Sequence, residues 1–546
     1  MTPAEVPQAA IGRDRLIFAA IVIASMVAMI APELGYVPIW DGRVYANCVL
    51  DAAYNGISME SLRCANHPSQ GWGIVLAVPQ LFAPGSVAVL NGTNLVLGIG
   101  AVFAFRIVLG RLFPSPDRAR ELDLVALCVA WHPVVLSTLV QPNVDFGVYV
   151  FFFVALAGLL TPTRGGTATA IIGGTLLAFS KETGVAAYGL AVGATLLAEH
   201  RRSGLAIRAR LKTIASRGAI LAVPLILFVA HTVQWRMAHG TSAIWRHAWQ
   251  QSSSDGFKWF DLSEPIFLSY AAGLFVLGFM WVAWLPVAAD AVIGLRRIGR
   301  GGARNVAGAD PHLLPPIIAL SVVLTYLLTS FRTWSNLRYF AVLYPLFLLL
   351  THVSLVRLGV SARARTRGLM AIAALFLLAD FRSVDPLSRA VYGTFDTGVR
   401  RMYAMTSITG EFEGPGRDQL VYNLEFTGYH HVQNALFALL KPGAETVIAT
   451  PRIVRWNIWS QLEPGTWRRT MSRTDAFAPV YADEADVSAR GSADAWYLTF
   501  SNGVVPDRAL DGLLKRYAVT DSMVAAAHGQ RVVARHLVRR ESSVLP

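Results

Sequence analysis

Charge is what this sequence has least of. Only 15% of its 546 residues are Asp, Glu, Lys or Arg, against about 25% in an ordinary globular chain. Meanwhile 54% are hydrophobic, and the mean hydropathy is +0.45. So little charge, with the apolar residues gathered in long runs, excludes a set of ordinary soluble domains. Cysteine is almost missing too, and three residues cannot build a disulfide scaffold. No solenoid repeat is visible, and the only low-complexity stretch is a Gly/Arg segment at 299–304. Acidic residues are fewer than basic ones, 35 against 48, leaving a net charge of +13. A nucleic-acid footprint would need those basic residues clustered on one soluble face. Here the arginines fall between apolar runs, where a bilayer accounts for them, and no nucleic-acid partner is expected.

What the sequence does have is a series of membrane-length runs. A spanning helix needs about 20 apolar residues. Eleven stretches qualify: 16–31, 87–109, 122–140, 144–160, 168–180, 184–198, 217–233, 266–289, 313–330, 339–356 and 368–380. The pair 168–180 and 184–198 works only as a tight hairpin, and 71–83 is too short to span, which predicts a re-entrant or interfacial helix. The run Leu16–Ile30 follows Arg13 and Arg15 without a small-residue cleavage site, so it is expected to be retained as the first span.

Basic residues then set the orientation. With the N-terminus cytoplasmic, alternate connections should be rich in Arg and Lys. Arg106, Arg111, Arg118 and Arg120 mark one; Arg201, Arg202, Arg208, Arg210, Lys212 and Arg217 the next. Arg296, Arg297, Arg300 and Arg304 follow, then Arg357, Arg363, Arg365 and Arg367. Counting 71–83 as a full span would break this alternation. The expected architecture is a polytopic α-helical membrane domain over 1–380 with a long external loop at 32–70, followed by a soluble extracytoplasmic α/β or α+β domain over 381–546. In that domain 419–423, 445–450 and 495–501 read as short strands and 427–440 as a helix. Cys128 falls in an apolar run and is expected in the core. Cys48 and Cys64 share the external loop, where an oxidising compartment would allow them to pair.

The threading sorts the chemistry. On the external side lie Asp41, Asp51, His67, Asp145, Lys181, Glu182, Arg332 and Arg338, several of them at span mouths, where a charge is costly without a partner or a function. Asp41, in Trp40-Asp41-Gly42-Arg43-Val44-Tyr45, is suited either to act as a general base or to cap the helix that follows. His67, before Pro68, has the setting of a loop histidine or a ligand. Asp145, in Gln141-Pro142-Asn143-Val144-Asp145, reads as a cap for the next helix or as a second carboxylate facing Asp41. Lys181 and Glu182, in Ser180-Lys181-Glu182-Thr183, are either interfacial charges that snorkel to water or, for Lys181, a phosphate ligand. Arg332 and Arg338 break the charge bias, and a guanidinium offers two parallel donors to a phosphate. Glu425, His430 and His431 do not form a convincing metal site, because adjacent histidines point apart.

The order of these motifs resembles the GT-C glycosyltransferases, and more narrowly the branch of protein O-mannosyltransferases and lipid A aminoarabinose transferases. The resemblance covers about 40–345. It implies a many-helix membrane fold and a sugar donor carried on a polyprenyl phosphate. Asp41 takes the place of the family's catalytic loop carboxylate, although Gly42 stands where a second acidic residue is usual. His67-Pro68 matches a His-Pro-Pro or Lys-Pro-Pro element, with Ser69 in place of the second proline. Asp145 matches the second carboxylate, Lys181 the lysine facing the donor phosphate, and Arg338-Tyr339 the late Arg-Tyr pair. On this reading Asp41 and Asp145 are catalytic, Lys181, Arg338 and Arg332 bind phosphate, and His67, Glu182 and Tyr339 contact substrate. Asp145 would orient the acceptor or a divalent metal ion; no other cofactor is implied. The acceptor would be a glycan, lipid or protein hydroxyl. The rival readings are a transporter or flippase of lipid-linked sugars, a polysaccharide ligase or polymerase, and a non-catalytic assembly protein.

Overall fold

The structure is a computed structural model, and it describes residues 8–31, 34, 40–64, 68–139, 142–202, 207–239, 265–298, 306–330, 337–393, 395–396, 401–402, 447–450, 480–481, 494–500, 508–527 and 530–540. Helix α1 (Gln8–Ile30) leads into α2 (Trp40–Asn55) and the short α3 (Gln70–Gln80). The bundle continues with α4 (Val87–Leu112), α5 (Ala119–Ala130), α6 (Pro133–Leu139), α7 (Val144–Leu159), α8 (Arg164–Ala178) and α9 (Glu182–Arg202). It is completed by α10 (Ile207–Leu221), α11 (Val223–His239), α12 (Pro265–Phe275), α13 (Met280–Ile298), α14 (Leu314–Thr329), α15 (Leu343–Arg357) and α16 (Ala362–Phe381). Each of the eleven apolar stretches falls on one of these helices or on a broken pair of them.

Length alone singles out far fewer spans. Among the described residues, Val87–Leu112 and Leu277–Leu295 are long and apolar enough to cross a membrane, and two bent pairs raise the number to at most four. The reason is packing. α7 is apolar all round and has every residue but Val154 buried, so it lies at the centre of the bundle rather than against lipid. Central helices of this kind are short and lean on their neighbours.

Three stretches expected to be continuous are broken. The 122–140 run bends by 56° between α5 and α6, where Trp131 and His132 precede Pro133. The 217–233 run bends by 47° between α10 and α11, ahead of Pro224. The 266–289 run breaks between α12 and α13, where Gly278 (φ 62°) and Phe279 (φ 68°) are left-handed. A left-handed Phe costs about 1–2 kcal/mol, and the fold supplies the compensation. Asp385, fully buried at the N-cap of α17 (Pro386–Tyr392), accepts from the Phe279 N–H at 2.9 Å, the Trp281 indole N–H at 3.0 Å and the Leu387 N–H at 3.1 Å. Ser388 Oγ takes the Gly278 N–H at 2.9 Å.

Beyond α17 the described elements are mainly strands. Val447–Thr450 (β3) pairs in parallel with Val480–Tyr481 (β4) and with Asp494–Phe500 (β5). β5 then pairs antiparallel with Gln530–Arg539 (β7), which pairs with Tyr517–Ala527 (β6). The earlier two-residue strands β1 (Phe395–Asp396) and β2 (Arg401–Met402) form a separate ladder. Two of the expected strands thus have counterparts at 447–450 and 494–500. The expectations at 419–423 and 427–440, and at Glu425, His430 and His431, lie outside the described residues.

The two ends of the bundle differ. At the end carrying the basic connections, arginines pair with acids: Arg106 with Asp123 at 2.5 Å, Arg217 with Glu199, Arg202 with Asp310, and Arg357 with Asp290 at 3.3 Å. Deepest is Glu121, 2% exposed, which takes two bonds from Arg365 at 2.9 and 2.7 Å. His352 stands 3.5 Å from the same carboxylate and stacks on Phe113 with ring centroids 4.8 Å apart. Charge counting had treated these arginines as loop residues and missed their partners.

Candidate functional site

At the opposite end, three helix starts bring together residues far apart in sequence. Asp145 lies in the first turn of α7, Lys181 in the turn between α8 and α9, and Arg338 in a single helical turn, Leu337–Phe340, that leads into α15. α9 alone separates this end from the basic one: its 21 residues span about 30 Å.

Lys181 Nζ lies 2.6 Å from Asp145 Oδ1, and Arg338 Nε lies 3.3 Å from Asp145 Oδ2. Arg338 is 5% and Asp145 6% exposed, and the Lys181 side chain 12%. Tyr339 adds an aromatic wall, its ring 4.3 Å from Lys181 Nζ and 5.4 Å from the Arg338 guanidinium. Burial presses the Lys181 ammonium toward neutrality, but the Asp145 charge and then Tyr339 more than reverse this. The lysine is held above its usual 10.5. Lys181 is therefore a charged, enclosed group and not an interfacial lysine reaching for water. Two cations on one carboxylate leave the trio with a positive excess, which suits an anion.

Local packing fixes each part. Asn143, not Asp145, caps α7, its side-chain oxygen accepting the Asp145 N–H at 3.0 Å. That frees the Asp145 carboxylate to face the cations. The turn holding Lys181 is seated by α3, where the Gly71 N–H donates to the Phe179 carbonyl at 2.9 Å. Arg338 is held by its neighbours, Leu337 against Gly273 of α12 and Phe340 edge-on to Tyr270 at 4.9 Å.

Asp41 occupies the second position of α2, so the helix begins before it rather than being capped by it. Only its backbone is described. Tyr45, one turn further on, meets Trp72 edge-on at 5.9 Å. Trp72 in turn closes on Gly147, where an added Cβ would stand 2.7 Å from the indole. This chain of contacts ties the start of α2 to the turn that carries Asp145. Cys48 of α2 is bonded to Cys64, with Cα atoms 5.7 Å apart, so the pairing that an oxidising compartment would allow is present. Cys128 is buried, as expected. His67 and Arg332 lie outside the described residues.

Glu182 opens α9 beside Lys181 and faces Arg63. Burial lowers the Arg63 guanidinium below its usual value while Glu182 opposes the shift, and the group lies 4.1 Å over the Trp235 ring. Next to it, Gln70 Nε2 stands 3.4 Å from His231 Nε2. Arg63 carries a sequence signal of its own, an arginine in the external loop that breaks the charge bias as Arg332 and Arg338 do. Beyond α12, an apolar cavity of about 330 Å³ is lined by Tyr270, Leu274, Trp284, Tyr326, Phe347 and Leu350, among others.

Each oxygen of Asp145 faces a cation, Lys181 on one side and Arg338 on the other. Among the described residues no group of three or more His, Cys, Asp or Glu side chains is placed to hold a metal.

Two solved structures of ArnT from Cupriavidus metallidurans superpose along nearly the whole chain. The one bound to undecaprenyl phosphate has a TM-score of 0.52 at 14% identity, covering 95% of this chain and 97% of that one. The fold is that of ArnT. The apo structure gives a TM-score of 0.52 at 13% identity, covering 97% and 98%. The resemblance carried by motif order, to the branch containing the lipid A aminoarabinose transferases, is thus met at the level of the fold. No family model and no curated protein matches the sequence.

Proposed function

We propose that this chain is a multi-pass membrane glycosyltransferase that moves a sugar from a polyprenyl phosphate to an acceptor hydroxyl on the extracytoplasmic face. The observation that carries this reading is the enclosed Lys181–Asp145–Arg338 cluster, in a fold shared with a protein solved with undecaprenyl phosphate. Eleven spans with a cytoplasmic N-terminus would put the basic end inside and the cluster outside. A Cys48–Cys64 disulfide in the first loop supports the same orientation, since such bonds persist in oxidising compartments. The apolar cavity beside α12 suits an isoprenoid chain.

Departure of the sugar breaks its C1–O bond and leaves negative charge on the phosphate. Lys181 and Arg338, joined by Arg332, would meet that charge electrostatically in a site that needs little rearrangement. Asp145 holds the two cations in register. Asp41 takes the acceptor's hydroxyl proton as the oxygen attacks C1, and a single displacement inverts the anomeric centre. Glu182, His67 and Tyr339 would contact substrate. The acceptor is a glycan, lipid or protein hydroxyl.

The test is sugar transfer from a polyprenyl-phosphate donor by purified protein in lipid, wild type against Asp41→Asn. Wild-type transfer with strong loss in the variant is expected. Undiminished transfer by Asp41→Asn removes Asp41 as the base.

A further inference from the structure

Asn143 is buried to 1% exposure at the head of α7, and its amide is only half used. The side-chain oxygen accepts the Asp145 N–H at 3.0 Å, and its backbone oxygen accepts from Phe146 and Gly147 at 3.1 and 3.3 Å. Its Nδ2 has no hydrogen-bond partner among the described residues. Asn143 stands two residues before Asp145, on the turn whose carboxylate meets Lys181 and Arg338. An N–H left unmade in a buried place costs about 1–3 kcal/mol. Capping does not require that cost: Asp caps as well and, ionised, brings no donor. A second idle N–H lies close by, since Trp72 Nε1 is also buried without a partner among the described residues, on a ring packed against Gly147.

Two cations and an unused amide donor at one helix start call for a ligand that is all acceptor. We infer that Asn143 Nδ2 donates a hydrogen bond to a phosphate oxygen of the polyprenyl-phosphate donor, so that the residue capping α7 also grips the leaving group. This rests on the glycosyltransferase reading for the identity of the lipid, and on the phosphate group alone for its chemistry. Asn143 then couples two tasks through one planar group. Its oxygen sets where Asp145 sits, and its nitrogen sets where the phosphate sits relative to the cations that Asp145 holds.

The experiment uses the full chain in lipid nanodiscs and measures binding of undecaprenyl phosphate and, separately, of inorganic phosphate, alongside thermal unfolding. Asn143→Ser keeps a capping oxygen and removes the amide N–H, leaving a single hydroxyl hydrogen on a shorter side chain. It is expected to unfold with the wild type and to bind undecaprenyl phosphate about tenfold more weakly, equivalent to about 1.4 kcal/mol. Asn143→Ala is expected to lose binding and some thermal stability together. Wild-type affinity in Asn143→Ser overturns the inference and leaves Asn143 a cap. If the serine variant unfolds early, Asn143→Asp replaces it, because its carboxylate also caps; wild-type affinity there overturns the inference too. A wild type that takes no undecaprenyl phosphate sinks the glycosyltransferase reading, and the inorganic phosphate arm then decides the role of Asn143. A tenfold loss in that arm keeps the donor role for a free phosphate, and equal binding removes it.

Discussion

The two ends of α9 carry the same kinds of side chain and use them differently. At the basic end Glu199 meets Arg217 and Arg202 meets Asp310, one acid to one base, and nearby Glu121 is closed off by Arg365. At the other end one carboxylate, Asp145, receives both Lys181 and Arg338. Matched pairs are a way of ending helices without leaving a buried charge uncompensated. The other end gathers two cations on one carboxylate beside a buried amide donor, an arrangement that suits an anion.

The largest way to break this contrast is to remove a cation at the functional end. Lys181→Ala is expected to lower transfer by about 10²–10³-fold, the scale found when one donor to a developing oxyanion is lost, with a smaller change in thermal unfolding. Arg365→Met should do the reverse. It strands Glu121, whose side chain is 3% exposed, and breaking such a pair costs about 3–5 kcal/mol, while each molecule that stays folded keeps its activity. Transfer rates and melting curves on both variants check this, and parallel losses in both would dissolve the distinction. The smallest expected effect is on pH. The Lys181 ammonium is held above 10.5. A raised lysine contributes stability that is fully present below its unfolded value and is lost only as pH climbs through its folded one. Melting temperatures should therefore show no Lys181-dependent change through neutral pH, with a decline in strong alkali that Lys181→Ala lacks. A Lys181-dependent change at neutral pH contradicts the cluster as described.

How much of this was legible in the sequence depended on whether the determinant was local. Helix threading brought Asp145, Lys181 and Arg338 to one end, because alternation of direction follows from counting spans. It did not reveal that Asp145 would be the shared partner, since pairing across α7, α9 and the 337–340 turn is a matter of angstroms. Spacing leaves open whether Asp145 caps α7 or faces a cavity, because Asn and Asp are both good caps, and only the backbone shows that Asn143 has the extended conformation a cap requires. The acids opposite Arg106, Arg217 and Arg365 were invisible to a rule that counts bases alone. The break at Gly278–Phe279 was missed for a related reason. Its partner Asp385 lies 106 residues from Phe279, and a hydropathy window sees only an apolar run.

That last arrangement has a consequence for how the chain is completed. The left-handed step between α12 and α13 has no local reason to persist, and the side chain that holds it is made only after the last long helix. Until residues 385–388 emerge and dock, the step between α12 and α13 lacks the acceptors that hold it, and the wall of Tyr270 and Gly273 on which the Arg338 turn leans lacks that clamp. A chain cut just past Gly393 keeps the peg, and one cut just before Asp385 loses it, so a few residues outside the bundle decide whether its outer end sets.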